Sequence, residues 1–162
     1  RADLGVVAVE QAHPDLLYLP YREDELVLLV PMSSRLARRK QASFKVCLDE
    51  PFVGLQSGMA LHTFLVNHAA QLGGQLDVRV QVSGYRAIAQ LVATGAGLGI
   101  VPRSALEATD LPRVAVLRLV EPWALRHLQV CLREQTLHNP FVAELVTTLT
   151  AAHASQGAGF SR

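Results

Sequence analysis

Residues 91–106 read LVATGAGLGIVPRSAL, with glycine at positions 95, 97 and 99. The order of elements around those glycines limits what this chain can build. A dinucleotide fold needs a strand, then G-x-G-x-x-G, then a helix whose amino end meets the pyrophosphate. Here Ile88, Leu91 and Val92 have helical spacing before the glycines, and Leu98 to Val101 form a short apolar run after them, closed by Pro102. Ile100 occupies the third required glycine position. The backbone amides would face a helix carboxyl end, which repels anions. The glycines therefore serve packing: Gly95 lets the helix end in a left-handed turn, and Gly97 and Gly99 let the chain pass close beneath it into a buried strand.

The rest of the chain alternates strands with helices, which predicts an α/β class with a mostly parallel sheet. Strands are expected at Leu4 to Val9 (buried on both faces), Leu16 to Pro20, Asp24 to Val30, Phe52 to Leu55, Val114 to Leu119 and Leu128 to Leu132. Val78, Val80 and Val82 alternate with Arg79 and Gln81, the mark of a strand with one wetter face. Leu61, Phe64, Leu65, Ala69 and Leu72 recur at helical steps, with Gly73-Gly74 as the stop. Ser43 is expected to cap a short helix that Pro51 ends, Ser83 to cap the helix before Gly95, and Ser104 to cap one turn or two. Asn139-Pro140 opens the closing helix, which carries Phe141, Val142, Leu145, Val146 and Leu149 on one face. The final ASQGAGFSR reads as a frayed tail.

The net charge is +1, which argues against a strong electrostatic footprint for nucleic acid over the chain as a whole. The basic stretch SSRLARRKQ reads as a solvated loop. No apolar run approaches the roughly 18 residues of a membrane span. No export signal opens the sequence, so the expected compartment is the cytoplasm. Cys47 and Cys131 lie in apolar contexts and are expected to be buried thiols. His62 and His68 are about 600° apart round a helix, so they do not share a metal. No cofactor or metal pattern and no catalytic constellation is present, and enzymatic activity is not expected. Trp123, after Pro122, is expected to anchor a turn.

Taken together, LVATGAGLGIVPRSAL, YREDELVLLVPMSSRLA, LDEPFVGL, ADLGVVAV and NPFVAELVTTL resemble, in order, the effector-binding domain of LysR-type transcriptional regulators. The resemblance covers about residues 1–150 and departs at the front, where the family's helix-turn-helix, linker helix and first strand–helix–strand are not seen. It implies a fold like type II periplasmic binding proteins: two α/β lobes joined by two crossover strands, with the ligand in the cleft. Lobe I would be 1–28 with 127–153, incomplete on its N-terminal side; lobe II would be 29–126, and 154–162 a disordered tail. The hinge would comprise Leu29, Val30 and Pro31 with Arg126 and His127. A homodimer or homotetramer would form through the helix bearing His62, Leu65, His68 and Leu72, and DNA would be met only through the absent helix-turn-helix.

The residues also point to where a ligand would sit. Gln56-Ser57-Gly58-Met59 and Ser83-Gly84-Tyr85 are strand-to-helix junctions rich in small polar groups. Helix amino ends offer free N–H groups and partial positive charge, which suits the carboxylate of a small organic or aromatic acid. Tyr85 would add an aromatic wall. Ala8, Val9 and Pro102, at strand ends, complete the expected effector site. The alternative reading is a solute-binding protein of the same fold that has lost its export signal.

Overall fold

A computed structural model of the protein describes residues 2–8 and 12–156. In chain order the strands are β1 (Leu4–Ala8), β2 (Leu17–Pro31), β3 (Gln41–Ala42), β4 (Pro51–Leu55), β5 (Asp77–Val82), β6 (Gly99–Pro102), β7 (Val114–Leu119) and β8 (Leu125–Leu132). The α-helices are α1 (Ala60–Gln71), α2 (Tyr85–Ala93) and α3 (Pro140–Gln156). Two compact units emerge: residues 1–24 with 125–162, and residues 25–124.

In the first unit β1 pairs antiparallel with β8, from Leu4↔Leu132 to Ala8↔Leu128. Val130, Leu132 and Val146 form its small core, with Leu4, Leu19, Tyr21 and Leu149 packed around them. Asn139 starts α3 as expected: its Oδ1 accepts from the Phe141 N–H at 3.1 Å, with Pro140 at the first helical position.

The second unit holds the larger core. The end of β2 runs antiparallel to both β6 and β7, burying Leu26 to Val30 completely. β3 is parallel to β7, and β4 is parallel to β5. Leu98 bridges Phe52 in parallel before β6 turns toward β2. The glycine run does what its order requires. Gly95 has φ +88 and closes α2, with its N–H on the Val92 carbonyl (2.9 Å) and the Ala96 N–H on that of Leu91 (3.2 Å). A Cβ on Gly97 would strike the Pro51 carbonyl, and one on Gly99 would come within 2.5 Å of the Ile88 Cγ2.

Several expectations are corrected. The α/β class stands, but the pairing is mixed rather than mostly parallel, because β2 opposes both β6 and β7. The strands expected at Leu16 to Pro20 and Asp24 to Val30 are one continuous strand, Leu17–Pro31; the polar residues between them lie in a half-exposed part that tolerates them. β1 is not buried on both faces, since Val6 is 46% exposed. α3 continues to Gln156, past the expected start of the tail at 154; residues 157–162 lie outside the described residues. Arg35–Arg38 is a 3-10 turn pinned by buried Leu36, not a plain loop. The turn Arg103–Ala105 is preceded by Pro102 rather than capped by Ser104. Cys47 is fully buried and Cys131 only partly, both as free thiols. Burial pushes the Cys47 thiol up, and the Glu121 carboxylate adds to this, so it is an inert packing group.

Glu25, at the start of the second unit, accepts from Arg118 Nε at 2.9 Å and from Arg103 Nε at 3.0 Å. Partial burial raises its carboxyl, but the two guanidinium hydrogen bonds outweigh this and hold it below the ordinary 4.5. A depressed carboxyl stabilises the fold above its unfolded pKa and loses that contribution as pH falls through the folded one. Glu25→Gln is therefore expected to lower stability by about 1 kcal/mol at neutral pH, a modest figure because both arginines are well exposed. Urea titrations at pH 7 and pH 3 check it: the gap between the two proteins narrows at the lower pH.

Candidate functional site

The parallel pairing of β4 and β5 brings their carboxyl ends together, with Leu55 opposite Val82. Each strand leads directly into a helix. Past β4, the Gln56 N–H reaches the Val82 carbonyl at 3.0 Å, and Gly58 turns the chain with φ +92. The Gln81 Nε2 donates to the Ser57 Oγ at 3.2 Å, linking the first junction to the end of β5. Met59 is the residue before α1 and Gly84 the one before α2, and neither helix start carries a side-chain cap. Two sets of first-turn N–H groups thus lie at one edge of the sheet, with no side-chain oxygen capping either.

Of the predicted effector residues, Gln56, Ser57, Gly58 and Met59 come together with Ser83, Gly84 and Tyr85 at this edge. Ser57 and Ser83 are exposed and Tyr85 is half-buried against the core. Ser83 is not the cap; it stands one residue too early, and Gly84 takes the position with an extended backbone. Pro102 ends β6 and is buried, paired with Leu26. Ala8 ends β1 in the first unit. Val9 lies outside the described residues. Under the first turn of α1, a cavity lined by Leu55, Leu61 and His62 measures about 10 Å³. That is barely one water, so it is no ligand pocket.

Sequence reasoning missed Gln81. Its place in the alternation marked it as facing water, but only the β4–β5 register shows that it reaches Ser57. It also missed an open cavity of about 800 Å³ in the first unit, lined by His13, Asp15, Leu16, Arg133 and His138. None of the predicted effector residues lines it.

The other expected roles divide. The chain passes between the two units at Asp24–Glu25 and Ala124–Leu125. Leu29, Val30 and Pro31, expected at the hinge, are buried and paired with β7, past the first passage. Arg126 and His127 follow the second passage, and the His127 Nδ1 lies 3.1 Å from the Glu23 Oε1. On α1, Leu65 is 4% exposed and belongs to its own core, which removes it from any partner surface. His68 stacks on Trp123 at 4.7 Å, and Trp123 meets Phe44 and Phe64 edge-on at 5.3 Å each, the anchoring role expected for it. Leu72 is 52% exposed and His62 half-buried.

Residues 1–154 match the family described as the LysR substrate binding domain. This chain belongs to that family. Among curated relatives of the LysR domain, the uncharacterised HTH-type transcriptional regulator YwbI of Bacillus subtilis (strain 168) is 27% identical over 133 residues, covering 82% of this chain and 44% of the relative. The HTH-type transcriptional regulator CysL of the same organism is 22% identical over 157 residues, covering 96% of this chain and 52% of the relative. The chain thus spans about half the length of the curated relatives it matches. Among solved structures, the LysR family regulator HinK from Pseudomonas aeruginosa superposes with a TM-score of 0.74 at 16% identity, over 92% of this chain and 53% of that one. The effector binding domain of QuiR in complex with shikimate gives 0.67 at 22%, over 82% and 62%. That of BenM with its effector benzoate gives 0.67 at 19%, over 89% and 71%. These likenesses establish the periplasmic-binding-protein-like α/β fold of a LysR domain. No helix among the described residues is long and apolar enough to cross a membrane.

Proposed function

We propose that this chain is the effector-sensing and oligomerisation domain of a LysR-type transcriptional regulator, and that it binds a small organic or aromatic acid without transforming it. One observation carries the reading: two helix starts without side-chain caps, at the adjoining carboxyl ends of β4 and β5, tied together by the Gln81–Ser57 hydrogen bond. Such a pair attracts a carboxylate by aligned N–H groups and helix dipoles, with no need of a countercharge. The ligands named for QuiR and BenM, shikimate and benzoate, are acids of this kind.

Effector binding biases the parent regulator between two states and so alters how its DNA-binding part engages an operator, in the cytoplasm. His62 and Leu72 are kept as partner-facing positions on α1, and Val66, 41% exposed, joins them. The curated relatives are transcriptional regulators, which favours sensing over solute transport.

Calorimetric titration with a panel of small carboxylates and their neutral amides tests the site. At least one acid is expected to bind and its amide to bind far more weakly. Ser57→Asp and Ser83→Asp, both at exposed positions, are expected to weaken the acid about tenfold or more by like-charge repulsion. Equal binding of acid and amide, or unchanged affinity in both variants, would overturn the proposal.

A further inference from the structure

The near-neutral total hides an uneven distribution of charge. Arg35, Arg38, Arg39, Lys40 and Lys45 fall in a stretch that contains no acid, while the ten other Lys and Arg of the chain stand against fourteen Asp and Glu. The five cations therefore make residues 35–45 a positive stretch of an otherwise negative chain, to which the fold brings Glu50 (at Arg35) and Glu121 (at Ser43).

The fold holds this patch open to solvent. Ser34 Oγ accepts from the Leu36 N–H at 3.2 Å and starts the 3-10 turn Arg35–Arg38, whose Leu36 is buried. In a 3-10 turn residues three apart eclipse one another, so Arg35 and Arg38 stand on the same side. The chain then leaves in extended backbone through Arg39, and the Lys40 carbonyl is held by the Arg118 N–H at 3.0 Å. A second 3-10 turn, Phe44–Leu48, buries Phe44 and Cys47 and leaves Lys45 outside. All five cations are exposed. Arg35 reaches Glu50 at 4.0 Å; among the described residues no ion pair holds the other four.

Unpaired like charges on adjacent positions repel one another, and a polyanion relieves that repulsion. Three of the five are arginines, whose guanidinium forks match phosphate oxygens. The supporting turns are too short to form the amphipathic helix that a membrane surface would take. We propose that Arg35, Arg38, Arg39, Lys40 and Lys45 make a sequence-independent contact with the phosphate backbone of duplex DNA. This rests on the reading of the chain as part of a LysR-type regulator, in which a tethered DNA-binding part holds duplex nearby and makes a weak contact effective. It revises the expectation, drawn from net charge and family resemblance, that DNA is met only through a helix-turn-helix.

The test is fluorescence anisotropy of labelled random-sequence duplexes titrated with the 162-residue chain at several salt concentrations. Binding is expected to be weak and alike for duplexes of different sequence. The logarithm of the association constant should fall against the logarithm of salt with a slope of about −3 to −4, as for about four neutralised phosphates. Arg38→Ala/Arg39→Ala/Lys40→Ala should lose tenfold or more in affinity at low salt and shift the slope to about −1. Arg126→Ala/Arg133→Ala, both in the other unit, should leave both unchanged, and an unaltered thermal midpoint should accompany each variant. Absence of salt-dependent binding, an equal loss in the control variant, marked sequence preference, or tighter binding to phosphatidylglycerol vesicles than to duplex would each overturn the proposal. Carboxylate binding in the same triple variant separates the two readings: if it persists while duplex binding never appeared, the DNA contact alone is refuted.

Discussion

Gly97→Ala is expected to destabilise the protein by about 3 kcal/mol or more, a loss at the upper end for a single added methyl. The added Cβ would meet the Pro51 carbonyl oxygen and carbon and the Phe52 nitrogen, all backbone. A side chain could rotate away, but this carbonyl cannot, because it accepts the Leu98 N–H at 2.8 Å. Relief would break the link that carries the chain from α2 into β6, and with it the Phe52–Leu98 bridge. Gly95 provides the contrast: nothing lies within 4 Å of its hypothetical Cβ, and its demand is only for a positive φ. Gly95→Asn should then cost about 1 kcal/mol, since asparagine tolerates that region better than other residues. Urea unfolding followed by circular dichroism would read both. Similar losses at the two positions would refute the steric account.

Phe44→Ala is expected to cost about 3–5 kcal/mol. Phe44 is 1% exposed and lies edge-on to Trp123. Its removal opens a void beside Trp123 in the core that also holds Leu36 and Cys47. Its backbone is tied as well: the Phe44 N–H and the Ser43 hydroxyl both donate to Glu121 Oε1 at 2.8 Å. Among the described residues the other carboxylate oxygen of Glu121 is buried without a partner, so the carboxylate is braced through Oε1 alone. Phe44→Leu should recover more than half of the loss by filling most of the volume. The same urea titrations decide it, and a loss below about 1 kcal/mol would mean that the void collapses freely.

How much of this was legible depends on how local the cause was. Val78, Val80 and Val82 alternate because one face of β5 is wet, and that pattern lies in the sequence itself. The helix stop at Gly95 and the start at Asn139-Pro140 are likewise local. β2 was less legible. Pro20 and the charged YREDE segment read as a break, yet the first half of the strand is partly exposed, where a residue without an N–H and several charges are tolerated. Whether a strand is parallel or antiparallel leaves no mark in five residues, and the mixed sheet had to be seen. The candidate site divides in the same way. Its small polar junctions were readable one at a time; that β4 lies beside β5, and that Gln81 reaches Ser57, are facts of register. The distance between the expected hinge at Leu29 to Pro31 and the passage at Asp24–Glu25 has a related cause, since a long buried run carries no sign of where one unit gives way to the next.

The aromatic cluster has a practical consequence. Trp123 is the sole tryptophan of the chain and packs with Phe44, Phe64 and His68, all within residues 25–124. Its ultraviolet emission is thus a built-in reporter of that unit's interior, while melting confined to the other unit would pass largely unseen by it. Where emission and a whole-chain signal part company along a denaturation curve, the gap measures how independently the two units come apart.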